Sequence, residues 1–216
     1  MQNQSGSTSD SATRVATRLG LHGVAELVLA GPQFHTSGTI ELRAVPGGFG
    51  TVADPDVRVL GHELVAEGRR TLLAGQTLDE LATACGLAAT SLSDVYAEGP
   101  GLRGSDRVEV DPVAATEVAR AFGIGDAALR ALAADHRPIL WPEHFDIAID
   151  VDEVNYGVSP GDSHFDEPYA YVGPWQRDNY RGDFWNAPFG AARTLAELRD
   201  ADGVLAFFTE GRSLTS

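Results

Sequence analysis

The stretch from Leu140 to Trp175, LWPEHFDIAIDVDEVNYGVSPGDSHFDEPYAYVGPW, holds most of the side chains able to do chemistry, and neither Lys nor Arg interrupts it. In its run 145–151 a period of two sets Phe145, Ile147, Ile149 and Val151 on one face and His144, Asp146, Ala148 and Asp150 on the other. Aspartate is depleted in strands, so two of them beside a histidine on one strand face ask for a reason. A solvated outer face of an antiparallel sheet is one such reason and carries no function. A cavity lined by that face is the other. Tyr169 and Tyr171 alternate in the same way on an expected neighbouring strand, where their phenols would stand across from the acids. Aromatic walls with a few convergent polar groups are the usual make-up of a small-molecule site. In such a pocket Asp146 would orient His144 and fix its tautomer, and a desolvated Glu143 would serve as an acid or base. The expected catalytic residues are therefore Glu143, His144 and Asp146, and the expected ligand-binding residues are Trp141, Tyr169, Tyr171 and Trp175.

Other chemistries find less support. His144-Phe-Asp146 recurs as His164-Phe-Asp166, with Asp162 and Glu167 close by, but there is no HExxH and no EF-hand loop, so no metal is assigned and the acidic loop reads as a hydrated turn at 159–162. No GxSxG elbow is present, and Cys85 lies in an apolar helical run where a thiol is inert packing. The glycines at 47–50 and 99–101 do not follow a phosphate-loop or dinucleotide pattern, and no cofactor is expected. Residues 77–96 have the spacing of a helix-turn-helix. Their second helix would offer no Lys or Arg to DNA, and Asp94 and Glu98 would repel it.

The elements that must position these residues follow from periodicity and turn chemistry. A helix is expected over 12–29, stopped by Gly31-Pro32, behind a frayed tail over residues 1–10. A hairpin spans 39–52 around Pro46-Gly47-Gly48, further strands cover 57–60 and 63–66, and Thr77 with Glu80 forms a capping box for a short helix. Asp111-Pro112 starts one helix, reaching Ala121, and Asp126 caps another, reaching Ala134. Ile40, Leu42, Ala44, Phe49 and Gly50 align without a gap on Ile147, Ile149, Val151, Tyr156 and Gly157, and Thr77-Leu-Asp-Glu-Leu has a counterpart in Thr194-Leu-Ala-Glu-Leu. This suggests an internal duplication. The expected fold is α+β, with two related β-hairpin-plus-helix units packed together: residues 11–98, bridging helices and a hinge over 99–137, and residues 138–216, forming one compact domain.

Composition sets the class. Hydrophobic residues make up 43% and charged residues 22% of the 216, which excludes wholesale disorder, collagen and coiled coil. The net charge of −15 repels phosphate backbones, so nucleic acid is disfavoured as a partner. All 16 basic residues are arginine, a bias of composition that carries no message by itself. One cysteine cannot make an internal disulfide, and neither a secretory signal nor a membrane-length apolar run is seen, so a cytoplasmic location without membrane attachment is expected. The segments WPEHFDIAI, NYGVSPGD, PYAYVGPW and FWNAPFG resemble a set of uncharacterised bacterial proteins grouped as domains of unknown function. The likeness covers chiefly residues 138–211 and implies a shared fold and cleft, with no activity attached. The functional expectation is a small-molecule binding module. Its alternatives are a hydrolase or isomerase using the Glu143/His144 pair, and a structural or partner-binding protein.

Overall fold

The computed structural model describes residues 5–215, with side chains from residue 11 onward except that of residue 178; of the tail expected over 1–10, residues 1–4 lie outside the described residues and 5–10 are helical. Gly31-Pro32 reads as a helix stop, yet the chain stays helical through it, as α1 (Ser5–Gly23), a π-helical segment (Val24–Ala30) and α2 (Gly31–Ser37). Proline lacks an N–H and would strand a carbonyl in the turn before it. The wider π turn absorbs this. Gly31 N–H bonds Glu26 O, five residues back, and the Leu27 carbonyl accepts from Thr90 N–H instead (2.9 Å). A Cβ at Gly31 would fall 2.0 Å from Thr90 O, so only glycine admits this crossing.

Among the described residues, ten antiparallel strands form one sheet. The first five are β1 (Leu42–Val45), β2 (Gly48–Thr51), β3 (Val57–Leu60), β4 (Glu63–Ala66) and β5 (Arg69–Leu72). The second five are β6 (Ile139–Trp141), β7 (Asp146–Val151), β8 (Val154–Ser159), β9 (Tyr169–Pro174) and β10 (Ala191–Thr194). Their order, β10-β9-β8-β7-β6-β1-β2-β3-β4-β5, makes each half of the chain a meander running outward from a seam where β1 meets β6 and Leu42 faces Leu140. The α+β class is as expected. The duplicated units are not shown: the gapless alignment puts β1 on β7, but the strand that shares the seam with β1 is β6.

Helix packing covers the inner face of the sheet. Between β5 and the seam lie α3 (Leu78–Ala84), with its capping box formed, and α4 (Pro112–Leu132), capped by Asp111. Two helices were expected where α4 runs unbroken. Asp126 caps nothing there and pairs instead with Arg130 one turn on (2.8 Å), while Gly125 lets the helix lie close on the sheet, since a Cβ there would come within 2.7 Å of Ile147 and 2.9 Å of Val158. Thus α4 packs on β1, β2, β7 and β8, across the seam, and against α6 (Ala201–Thr215), which follows the short α5 (Leu195–Leu198). Beneath α4 the rings of Phe49, Phe122 and Phe145 meet edge to face at 5.2–6.0 Å. Ile147, Ile149 and Val151 face this core, as the period of two requires. Among the described residues no helix is long and apolar enough to cross a membrane.

Candidate functional site

The turn that leads β6 into β7 fixes which way Asp146 points. Phe145 adopts a left-handed backbone (φ 53°), its amide bonds Trp141 O (2.9 Å), and its ring is buried in the main core. The next residue, Asp146, therefore opens β7 on the opposite face. It is 5% exposed, deeper than the half-wetted polar row of an outer sheet face.

Tyr171 donates a short hydrogen bond to Asp146 Oδ2, and Asp146 Oδ1 has no partner. The contact crosses a strand. The sequence suggests that the tyrosines neighbour β7 directly, but β8 lies between, and Tyr171 reaches over it because residue 157 is glycine. A Cβ there would sit 2.5 Å from Tyr171 Cζ. Burial pushes the Asp146 carboxyl above its ordinary range, against the pull of the Tyr171 hydrogen bond. The same burial, and then the charge of Asp146, push the Tyr171 phenol well up.

A second phenol–carboxyl pair stands beside the first. Tyr169 donates to Asp162 Oδ2 (2.6 Å), and Asp162 Oδ1 accepts from the amides of His164 (2.7 Å) and Phe165 (3.0 Å), so this aspartate closes a turn over 162–165, past the 159–162 expected, because Ser159 still belongs to β8. Burial raises the Tyr169 phenol too, with Asp162 adding to it. The rings of Tyr169, Tyr171 and Phe189 lie about each other at 6.2 Å.

Over this face and the N-terminal helix lies a cleft of about 900 Å³. From α1 come Arg18 and His22. Arg18 Nη2 bonds Asp162 O (3.2 Å) and Nη1 has no partner; it passes so near Gly161 that a Cβ there would be 2.5 Å away. Burial draws the guanidinium below its ordinary value, with Asp162 and Asp166 opposing. His22 lies parallel to Phe145 (5.2 Å, 9°), and its Nε2 must carry the hydrogen because it meets the Pro142 carbonyl at 2.7 Å. Desolvation lowers this imidazole to about 4, against the backbone carbonyls of Pro142 and Glu143, so it is neutral near pH 7.

The mouth is acidic and aromatic. His144 is half exposed, Nδ1 lying 3.6 Å from Glu98 and Nε2 3.9 Å from Glu143, and Trp175 is 62% exposed. Glu98, Gly99 and Pro100 form a wall, and Glu26 stands behind it, its Oε2 so near that a Cβ at Gly99 would be only 2.4 Å away. That buried carboxylate accepts from Tyr96 Oη (3.1 Å), Leu92 N (3.3 Å) and Ser91 Oγ (3.4 Å).

Of the residues expected from sequence, Glu143, His144, Asp146, Tyr169, Tyr171 and Trp175 line this one cleft. Trp141 does not; it stands on β6 beside Asp146 in register, outside the lining. Asp146 is bonded to Tyr171, whereas the ring nitrogens of His144 face Glu98 and Glu143. Arg18, His22 and the Glu98 wall were missed. The first two are four apart on one helix face, which marks them as neighbours but not as facing a strand that begins more than a hundred residues later. Among the described residues no cluster of three or more His, Cys, Asp or Glu could hold a metal ion, and residues 88–98 form turns where a second DNA-reading helix would need to be. Comparison with protein-family models, curated proteins and solved structures finds no match for the chain.

Proposed function

We propose that the protein is a small-molecule binding module whose ligand occupies the cleft between α1 and the outer face of β7–β9. The observation that carries this reading is Asp146, a buried carboxyl with one oxygen given to Tyr171 and the other without a partner. Native proteins leave few buried polar atoms unsatisfied, so each one calls for an explanation, and a bound group that meets it is one. The volume of about 900 Å³ and the mix of phenol rings with few fixed polar groups are those of a site for a drug-sized molecule.

A metabolite screen by thermal shift tests the reading, because a ligand that binds only the folded state raises the melting temperature by mass action. Wild type should gain several degrees from at least one compound, and Asp146→Ala and Tyr171→Phe, folded by circular dichroism, should gain little. No hit, or hits that stabilise both variants as much as wild type, would remove the cleft as the site.

A second reading, an acid–base hydrolase or isomerase, draws on His144, whose two ring nitrogens face carboxylates at the mouth. Under it His144→Ala abolishes turnover of a compound found in the screen and leaves the melting temperature unchanged. Loss of binding without any turnover in wild type counts for the binding module alone.

A further inference from the structure

Two residues lining the cleft each bury a polar side-chain atom with no partner, and the two atoms have opposite character. With Oδ2 taken by Tyr171, the ionised Asp146 offers Oδ1 as an acceptor, and Arg18 Nη1 can only donate. Both heads are fixed. Tyr171 holds the other carboxyl oxygen, and the Asp162 carbonyl holds the other guanidinium nitrogen. Rotation of either head would break these bonds.

Among the described residues that line the cleft, no other has a buried side-chain polar atom without a partner. The Asp162 carboxylate has its oxygens engaged by the His164 and Phe165 amides and by Tyr169, which leaves Asp146 as the buried acid with a bare oxygen. Among bases, His22 is neutral and presents a lone pair at Nδ1, so it cannot receive an anion. Arg177, whose Nε is also unpartnered, is a different case: its other nitrogens bond Tyr180 O and Trp185 O away from the cleft.

We propose that the ligand is a zwitterion, with an ammonium group taken by Asp146, a carboxylate taken by Arg18, and an apolar or aromatic body against Tyr169, Tyr171 and Phe189. This rests on the reading of the cleft as a binding site. An amine alone would leave the guanidinium unmet, and an acid alone would leave the carboxyl unmet while adding a fourth negative group to Glu98, Glu143 and Asp162. A molecule with both charges satisfies both atoms and adds no net charge.

Calorimetric titration of the full chain with two charge-deletion series tests this. L-phenylalanine is compared with 2-phenylethylamine and 3-phenylpropanoate, and 6-aminohexanoate, whose charges lie farther apart, with pentylamine and hexanoate. At least one zwitterion should bind about tenfold or more tightly than both of its singly charged relatives. Asp146→Asn should bring its affinity down to that of the acid, and Arg18→Gln down to that of the amine. Arg18→Met, which keeps the apolar stem and removes the charge, replaces the latter if Arg18→Gln does not fold. A singly charged relative that binds as tightly as the zwitterion, or affinities that neither variant changes, would overturn the zwitterion and leave the cleft reading standing. Binding by none of the six would overturn it as well, and the metabolite screen then decides the cleft reading separately.

Discussion

Asp146 and His22 titrate in opposite senses, which makes the cleft visible in stability measurements without any ligand. Burial holds the Asp146 proton more tightly in the folded chain than in the unfolded one, so its contribution favours folding at low pH and is lost as pH rises from about 4 through the folded value. Asp146→Asn keeps an oxygen for Tyr171 and has no proton to lose. The melting temperature of the variant relative to wild type should therefore climb between pH 4 and pH 8, and a flat difference would contradict the burial of the carboxyl. His22 is depressed from 6.5 to about 4, so its contribution is full above pH 6.5 and is lost as pH falls toward 4. The amount is about 2–4 kcal/mol. In His22→Phe that loss between pH 6.5 and pH 4 should disappear, as read by urea unfolding at a series of pH values. At this scale the sequence is informative about one strand at a time. Alternation put Asp146 and the two tyrosines on facing sides, but Arg18 and His22 were out of reach because nothing local says which distant strand a helix face will meet.

Glycine decides what the strands can do with those side chains. Gly157 sits opposite Tyr171 in the β8–β9 ladder, and its missing Cβ is the space through which the phenol reaches Asp146. Gly157→Val should cost about 1–3 kcal/mol through overpacking and displace the Tyr171 ring, so that melting temperature and affinity for any cleft ligand fall together. Unchanged values of both would show that the ring does not cross there. The strand pattern NYGVS carried this signal, since a glycine inside a strand marks a close approach, but what approaches is set by the β8–β9 register. The helix elements were legible where caps end them, as at Thr77 with Glu80 and Asp111-Pro112. They were misread where tertiary packing overrides a local stop, as at Gly31-Pro32 and across Gly123 to Gly125.

The whole molecule is tied together less by its seam than by what lies over it. The ladder between β1 and β6 registers Leu42 with Leu140, while α4 lies on strands from both meanders. The two halves should therefore unfold as one unit. All three tryptophans, at 141, 175 and 185, belong to the second meander, whereas far-ultraviolet circular dichroism samples both. Urea transitions followed by fluorescence and by dichroism should coincide, and an earlier dichroism midpoint would mean that the first meander melts alone. The α+β class was readable from the alternation of periods, but the seam was not, because strand order depends on which edges remain unpaired after each hairpin closes. The walls of the cleft have a related origin: α1 brings its residues from near the start of the chain, and β9 brings its own from beyond the bridging helix. Neither fragment of a chain severed in the 99–111 connection would contain a complete site. Complementation of the two pieces would restore it, and whatever fills the cleft would act as a bolt between them, tightening the affinity of one fragment for the other as its concentration rises above its dissociation constant.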